Sequence, residues 1–152
     1  VHAGEAGGAE HVRAAIDLLP ASRIGHGVRV IEDSTVTHFA RERGAVLEVC
    51  PTSNFQTGVV RSITQHPLPD LFSVGLQVTI NTDDPSVSDI TLTDEYLVAV
   101  TALGITLDQI RQAIYNAVDA AFVSEEEREH LRGLFPEWNG SLPTINYGQL
   151  LR

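Results

Sequence analysis

The sequence has few of the residues that commit a protein to several common functions. A single cysteine, Cys50, among 152 residues excludes an internal disulfide and a cysteine-based zinc cluster, so we expect a reducing, cytoplasmic location. Lysine and methionine are both absent, and the ten basic residues are all arginine. Because the chain starts at Val1, directly before a motif with the character of a site, we expect it to be a piece of a longer protein.

The charge balance and the hydropathy exclude two further classes of partner. Twenty acidic residues against ten basic residues give a formal net charge of -10, whereas nucleic-acid binding depends on neutralising phosphates with Lys and Arg. No apolar run approaches the roughly 20 residues that a membrane-spanning helix needs. We therefore expect neither a nucleic-acid partner nor a membrane partner, but a small neutral or weakly charged substrate.

Short apolar runs alternate with helical periods along the chain. Strands are predicted to end near Val1 and His26 and to cover residues 45–50 and 74–80, and their apolar character suits parallel strands buried on both faces. Helices are predicted between them, near residues 9–19, 34–43 and 68–74, whereas residues 51–54 are predicted to form a polar loop. The alternation predicts an α/β protein of βα repeats with its chemistry on one rim.

The second half of the sequence predicts three further helices and a tail. One helix covers residues 92–103, and capping boxes at Thr106 with Gln109 and at Ser124 with Glu127 start the other two. Proline residues and an Asn-Gly pair break every period after residue 134. We therefore expect one domain over residues 1–134 and an irregular tail over residues 135–152.

Titratable side chains follow three of the predicted strand ends. His2 and Glu5 follow the first strand, His26 closes the second, and Asp83 with Asp84 follows the apolar run 74–80. Imidazole and carboxylate are the usual nitrogen and oxygen ligands of a catalytic zinc, which takes about three protein ligands and an open position for water. His2 and Asp83 are good candidates, and further ligands must come from elsewhere. In the alternative interpretation, Asp83 or Asp84 merely caps the following segment.

Four motifs in this order and spacing resemble the carboxyl-terminal half of the adenosine deaminase family. They are His-Ala-Gly-Glu at residues 2–5, Arg-Ile-Gly-His-Gly at 23–27, Leu-Glu-Val-Cys-Pro at 47–51 and Asn-Thr-Asp-Asp-Pro at 81–85. The resemblance extends to residues 52–54, 66–68 and 94–96 and ends near residue 131. It implies the C-terminal half of a (β/α)8 TIM-type barrel, with strands five to eight, and the N-terminal half of the same barrel as partner.

The resemblance also implies a reaction, in which water removes the 6-amino group of a purine nucleoside and converts adenosine to inosine and ammonia. His2 and Asp83 are then expected to bind one Zn²⁺, with the remaining His ligands in the N-terminal half. Glu5 is expected to protonate the purine ring, and His26 to orient the attacking water and help to deprotonate it.

Two further positions are implied to bind substrate, and several histidines are expected to have no role. Gly4 and Asp84 are the implied substrate-binding residues. Glu48, the exception in an apolar strand, is either a hydrogen-bonding partner that holds the tautomer of His26 or a member of a simple salt bridge. Cys50 is expected to be an ordinary buried thiol. Surface positions are expected for His11, His38, His66 and His130.

The sequence leaves other functions open. The family's first strand carries a His-x-His pair that completes the zinc site, and this chain has no such pair. A deaminase for adenine or for an aminofutalosine-type compound is a neighbouring alternative. A purine-nucleoside-binding module without turnover is an alternative of a different class, and an acidic α/β domain with fortuitous motifs is the third.

Overall fold

The computed structural model describes residues 1–135, and the chain divides into two units, Val1–Ala121 and Phe122–Arg152. The described part of the second unit contains helix α8, Glu125–Leu134, which begins with the predicted capping box at Ser124. The tail predicted over residues 135–152 lies, apart from Phe135, outside the described residues. Among residues 1–135, no helix has the length and apolar character needed to cross a membrane.

Four parallel strands form the sheet of the first unit. They are β1 (His2–Ala3), β2 (Arg23–His26), β3 (Val46–Val49) and β4 (Gln77–Ile80), and they pair in sequence order. The register pairs Gly25 with His2 on one side and with Glu48 on the other. Because all the strands run in the same direction, their carboxyl ends lie along one edge, which confirms the predicted α/β architecture with a single rim.

The helices occupy the stretches between and after the strands. Those predicted between strands are α1 (Ala9–Leu18), α2 (Ser34–Glu42) and α4 (Leu68–Ser73). After β4 come α5 (Pro85–Ser88), α6 (Leu92–Thr101) and α7 (Leu107–Ala120), the last begun by the predicted capping box at Thr106. Short 3₁₀ helices, which the sequence did not predict, cover Val28–Glu32 and Ile63–Gln65.

The prediction of a loop after β3 was wrong. Residues 51–56 form helix α3, Pro51–Gln56, which starts immediately beyond the strand with Pro51 in its first turn. Proline suits that position because its fixed backbone angle matches the helix and its missing N–H has no intrahelical acceptor there. The three polar residues that follow Pro51 are therefore held on a rigid first turn at the rim.

The sheet is apolar on one face and polar on the other near its carboxyl edge. Ile24, Leu47 and Val78 are fully buried members of the core that the helices cover. Because side chains alternate along a strand, their neighbours point to the opposite face, where the register sets Glu48 beside Gly25 and Thr79. The prediction that the strand containing Glu48 is buried among apolar residues on both faces of the sheet was therefore wrong. Glu48 lies in a row with Gly25 and Thr79, which we call the polar row.

Close packing at the first strand end depends on glycine at position 4. Gly4 has a φ of +67°, and a Cβ built on it would lie 2.5 Å from Val12 Cγ2 and 3.2 Å from Gly27 Cα. Gly44, which follows α2, has a similar φ of +62° but nothing within 4 Å of such a Cβ. The two glycines therefore share a backbone conformation and differ in the space around them.

Gly4→Ala should lower the free energy of unfolding by roughly 2–4 kcal/mol, because it adds overpacking to a left-handed backbone. Gly44→Ala, the matched control, should lower it by only about 1–2 kcal/mol, since the backbone alone is affected. Urea unfolding of the two variants measures both losses. Equal losses would contradict the close approach of Val12 to Gly4.

Candidate active site

His26 lies at the centre of the titratable side chains on the rim. It ends β2 with only 2% of its surface exposed, and its φ is +61°, outside the region that strands use. Its Nε2 lies 3.5 Å from Oε2 of Glu5 and 4.0 Å from Oδ2 of Asp83. The structure therefore brings together three of the predicted site residues, from the ends of three different strands.

His2 also belongs to this cluster, because it is paired with Gly25, the residue before His26, on the neighbouring strand. The ring centroids of His2 and His26 are 5.3 Å apart. A Cβ added to Gly25 would lie only 3.0 Å from the nearest atom of the His2 ring, so the missing side chain at Gly25 provides the space that the ring occupies. Both imidazoles border one cavity of about 220 Å³, together with Glu48, Asn81 and Asp83.

The donor set of this cavity suits a metal ion such as zinc. Ligand atoms of His2, His26 and Asp83 all lie within 4.8 Å of one another. Two imidazole nitrogens and one carboxylate oxygen are the mixture that catalytic zinc sites use, with a further position left open. The residues present therefore fit the cation, with His2 and Asp83 as the predicted ligands and the His26 ring beside them.

The Asp83 carboxylate is fixed from the side of α3. Ser53 Oγ donates a hydrogen bond to Asp83 Oδ2 at 2.7 Å. Like His26, Asp83 has a φ of +61°. A non-glycine residue in this conformation costs of order 1–3 kcal/mol, and such residues cluster at functional sites. Two of them facing each other identify this edge as the candidate site.

The two predicted substrate-binding positions, Gly4 and Asp84, make hydrogen bonds to residues outside this cluster. Asp84 caps α5, since its Oδ1 accepts hydrogen bonds from the main-chain N–H groups of Ser86 and Val87, both at 3.1 Å. Asp84 therefore caps α5 through Oδ1, as the alternative interpretation expected. Gly4 is buried, and its carbonyl oxygen accepts a hydrogen bond from the Arg29 N–H at 2.9 Å.

Glu48 does not hold the tautomer of His26, because its partner is Arg23. Its Oε1 lies 2.9 Å from Arg23 Nε, which gives the salt bridge that was the alternative. The Nδ1 atom of His26 instead lies 3.1 Å from Nδ2 of Asn54. Arg23 and Glu48 pair because they project from the neighbouring strands β2 and β3 on the same face of the sheet. Asn54 instead approaches His26 from α3.

Known proteins share the sequence and the fold of this chain. A family model described as adenosine deaminase matches residues 1–138. The chain belongs to the adenosine deaminase family. An adenosine deaminase from Serratia proteamaculans is 48% identical over 132 residues, which are 87% of this chain and 40% of that protein. The chain thus spans about 40% of the length of this curated relative of the adenosine deaminase family.

Solved structures related to the adenosine deaminase family have the same fold. An adenine deaminase from Arthrobacter aurescens superposes with a TM-score of 0.85 at 32% identity, over 90% of this chain and 42% of that chain. An amidohydrolase from Burkholderia ambifaria, solved with bound Zn, superposes with a TM-score of 0.79 at 27% identity, over 87% of this chain and 37% of that chain. The four βα units are therefore the C-terminal half of a barrel fold of the adenosine deaminase family.

Sequence reasoning assigned no role to two buried polar residues of this candidate site. Asn54 is fully buried, and His66, for which a surface position was predicted, is only 3% exposed. His66 Nε2 lies 3.2 Å from Asn54 Oδ1. The prediction for His66 was wrong because its chain neighbours suggested a loop, whereas its ring is covered by elements distant in sequence. His11, His38 and His130 are exposed, as predicted, and Cys50 is buried.

A buried carboxylate anchors the first turn of α3. Glu95 on α6 has no exposed surface and accepts a hydrogen bond from the Thr52 N–H at 3.1 Å. Burial raises the pKa of Glu95, while the bond from Thr52 opposes that rise. Three successive residues, 52, 53 and 54, therefore contact Glu95, Asp83 and His26 in turn. Two sequence features pointed to this turn, the proline at a helix start and the resemblance over residues 52–54, but neither gave the partners.

The burial of His66 predicts an acid-sensitive stability. Burial lowers the pKa of His66 from 6.5 to about 4. Because the folded-state pKa lies below the unfolded-state pKa, the stabilisation is complete above pH 6.5 and is lost as the pH falls to about 4.

In His66→Gln, the amide retains an N–H for Asn54 and an oxygen for the Leu68 N–H but has no proton to gain. Between pH 6.5 and pH 4 the wild type should therefore lose up to about 3 kcal/mol more unfolding free energy than the variant. Urea unfolding across this pH range measures the difference. Parallel pH profiles would show that His66 is not buried as a neutral ring.

Proposed function

We propose that this chain provides one half of the active site of a metal-dependent hydrolase that removes the 6-amino group of a purine nucleoside, converting adenosine to inosine and ammonia. The observation that carries the proposal is the convergence of Glu5 and Asp83 on the Nε2 atom of His26, at 3.5 Å and 4.0 Å. The remaining ligands would come from the N-terminal half of the same barrel, which is the partner that we propose. The single cysteine of this chain, which can form no internal disulfide, suits the reducing cytoplasm that we propose as its location.

His2 and Asp83 would hold the zinc ion, with His26 next to them. A bound zinc supplies Lewis-acid activation, which lowers the pKa of a water molecule to about 7. The protein's own contribution is geometric: the Ser53 hydroxyl holds Asp83 Oδ2 at 2.7 Å, and the space above Gly25 receives the His2 ring. Partners of this kind orient ligand side chains before the metal binds.

Glu5 would supply the proton that the purine ring needs. Attack at the carbon that bears the amino group moves electrons onto the adjacent ring nitrogen, and a positioned proton donor there is worth roughly 10²–10⁴ in rate. The carboxylate of Glu5 lies 3.5 Å from His26 Nε2, and Glu5 also lines a separate cavity of about 490 Å³ together with Arg29 and Glu32. It is thus positioned between the metal-binding cluster and the space available to a substrate.

Asp84 and Gly4 would bind the base. Both capping bonds to Asp84 end on Oδ1, so Oδ2 is the atom that we assign to the five-membered ring. Gly4, at the left-handed turn that follows β1, would contact the purine through its main chain, since Val12 fills the space where a side chain would lie. Capping also restricts the Asp84 side chain, which reduces the entropy lost on binding.

Adenine is the second candidate substrate, and the likeness to the adenine deaminase with a TM-score of 0.85 favours it. Deamination of adenine, of adenosine or of an aminofutalosine-type compound attacks the same carbon, so the described residues would serve each reaction. A nucleoside-binding module without turnover would bind the same compounds but release no ammonia. Ammonia release from adenosine and adenine, measured in parallel, therefore separates these functions.

Glu5→Gln in the complete protein should reduce kcat by at least about 100-fold, because the amide cannot donate the proton that the ring nitrogen requires. The matched control is Glu42→Gln, which makes the same change on the exposed face of α2 and should leave kcat unchanged. A coupled assay of ammonia release measures both. Retention of wild-type kcat by Glu5→Gln would refute the assigned role, and absence of turnover in the wild type would refute the function.

A further inference from the structure

A continuous series of hydrogen bonds runs from the main chain of α4 to His26. The donor in the first bond determines which atom donates and which accepts in each of the others. The Leu68 N–H, which can only donate, donates to His66 Nδ1 at 3.0 Å. His66 Nδ1 is therefore an acceptor. Because the ring is buried and its pKa is lowered to about 4, His66 is neutral at neutral pH and carries its proton on Nε2.

The protonated Nε2 of His66 decides the orientation of the Asn54 carboxamide. His66 Nε2 lies 3.2 Å from Asn54 Oδ1, which accepts that proton in a hydrogen bond. The amide nitrogen Nδ2 then faces His26 Nδ1 at 3.1 Å. The opposite amide orientation would set two N–H donors against each other at the His66 end, and an unpaired buried donor costs about 1–3 kcal/mol.

We propose that Asn54 is a positioning residue that holds His26 in the tautomer with its proton on Nε2, and that His66 sets the direction of the Asn54 carboxamide. Since Nδ2 can only donate, Nδ1 of His26 must accept, and the neutral ring has its one N–H at the opposite nitrogen. That N–H points toward the carboxylates of Glu5 and Asp83. The inference deepens the proposed function and rests on it for its consequence in catalysis.

The consequence is a change in the part assigned to His26. A neutral ring with its proton on Nε2 offers the rim a hydrogen-bond donor rather than a lone pair, so His26 would lie beside the zinc ligands His2 and Asp83 without being a ligand itself. His26 then orients the attacking water and stabilises negative charge that develops on its oxygen, as a preorganised donor does. The role of a base, which the family resemblance implied for His26, would require the tautomer that Asn54 excludes.

Asn54→Asp is the sharpest test, because it keeps the shape of the side chain and replaces the donor that faces Nδ1 by an acceptor. A carboxylate there favours the proton on Nδ1 and reverses the tautomer. Asn54 lines neither of the two cavities at the rim, so we expect kcat to fall by at least about 10-fold with little change in KM. Equal kcat values for Asn54→Asp and wild type would overturn the proposal.

A spectroscopic measurement tests the tautomer without any activity. In the wild-type complete protein with ¹⁵N-labelled histidine, at a pH where the ring is neutral, His26 Nδ1 should show the shift of an unprotonated nitrogen and Nε2 that of a protonated one. Asn54→Asp should exchange the two shifts. A wild-type His26 with its proton on Nδ1 would overturn the proposal even if every variant failed to fold, whereas lack of turnover with the expected shifts would refute the proposed function alone.

Two further variants separate positioning from a merely structural role. Asn116→Asp is the matched control, since Asn116 is also buried and its Nδ2 donates to the Val78 carbonyl at 2.8 Å, away from the rim. It should lower stability while leaving the His26 shifts and the kcat of the folded protein unchanged. His66→Gln should keep the wild-type shifts, and His66→Leu should lose the preference for one tautomer. Loss of that preference in Asn116→Asp would show that general destabilisation, not Asn54, governs the ring.

Discussion

The site depends on one constraint: each polar group buried beneath the rim must find a hydrogen-bond partner inside the protein. An unpartnered buried group costs about 1–3 kcal/mol, so the partners fix where each side chain can lie. The first turn of α3 supplies most of them. The Thr52 N–H binds Glu95, Ser53 binds Asp83, and Asn54 binds His26. A helix of six residues thus joins α6, the end of β4 and the end of β2.

The parallel sheet provides the frame in which these bonds are possible. Its register brings four strand ends to one edge, and the polar row that contains Gly25 and Glu48 lies on the face opposite the core. His26 and Asp83 then leave the strand conformation, each with a positive φ, and turn toward each other. This backbone conformation costs of order 1–3 kcal/mol at each residue, and contacts with the surrounding residues hold it in place, as they do at other functional sites.

Much of this organisation could be predicted from the sequence, because it is local. Alternating strand and helix periods predicted the βα order, and capping boxes at Thr106 and Ser124 predicted two helix starts, since these patterns act within a few residues. The partners could not be predicted in the same way. Asn54 and His26 are 28 residues apart in the sequence, and Glu95 and Thr52 are 43 residues apart. For Glu48, the alternation of side chains along a strand predicts which face of the sheet it lies on but not which residue it contacts there.

The central claim is that His2 and Asp83 hold a catalytic zinc in a site completed by the other half of the barrel. Native mass spectrometry of the complete protein, reporting polypeptide mass and zinc content together, tests it most directly. The account predicts one zinc for each complete barrel, and loss of that zinc in Asp83→Ala with the polypeptide mass otherwise intact. Full zinc content in Asp83→Ala, or tight zinc binding and full deamination by residues 1–152 alone, would contradict it.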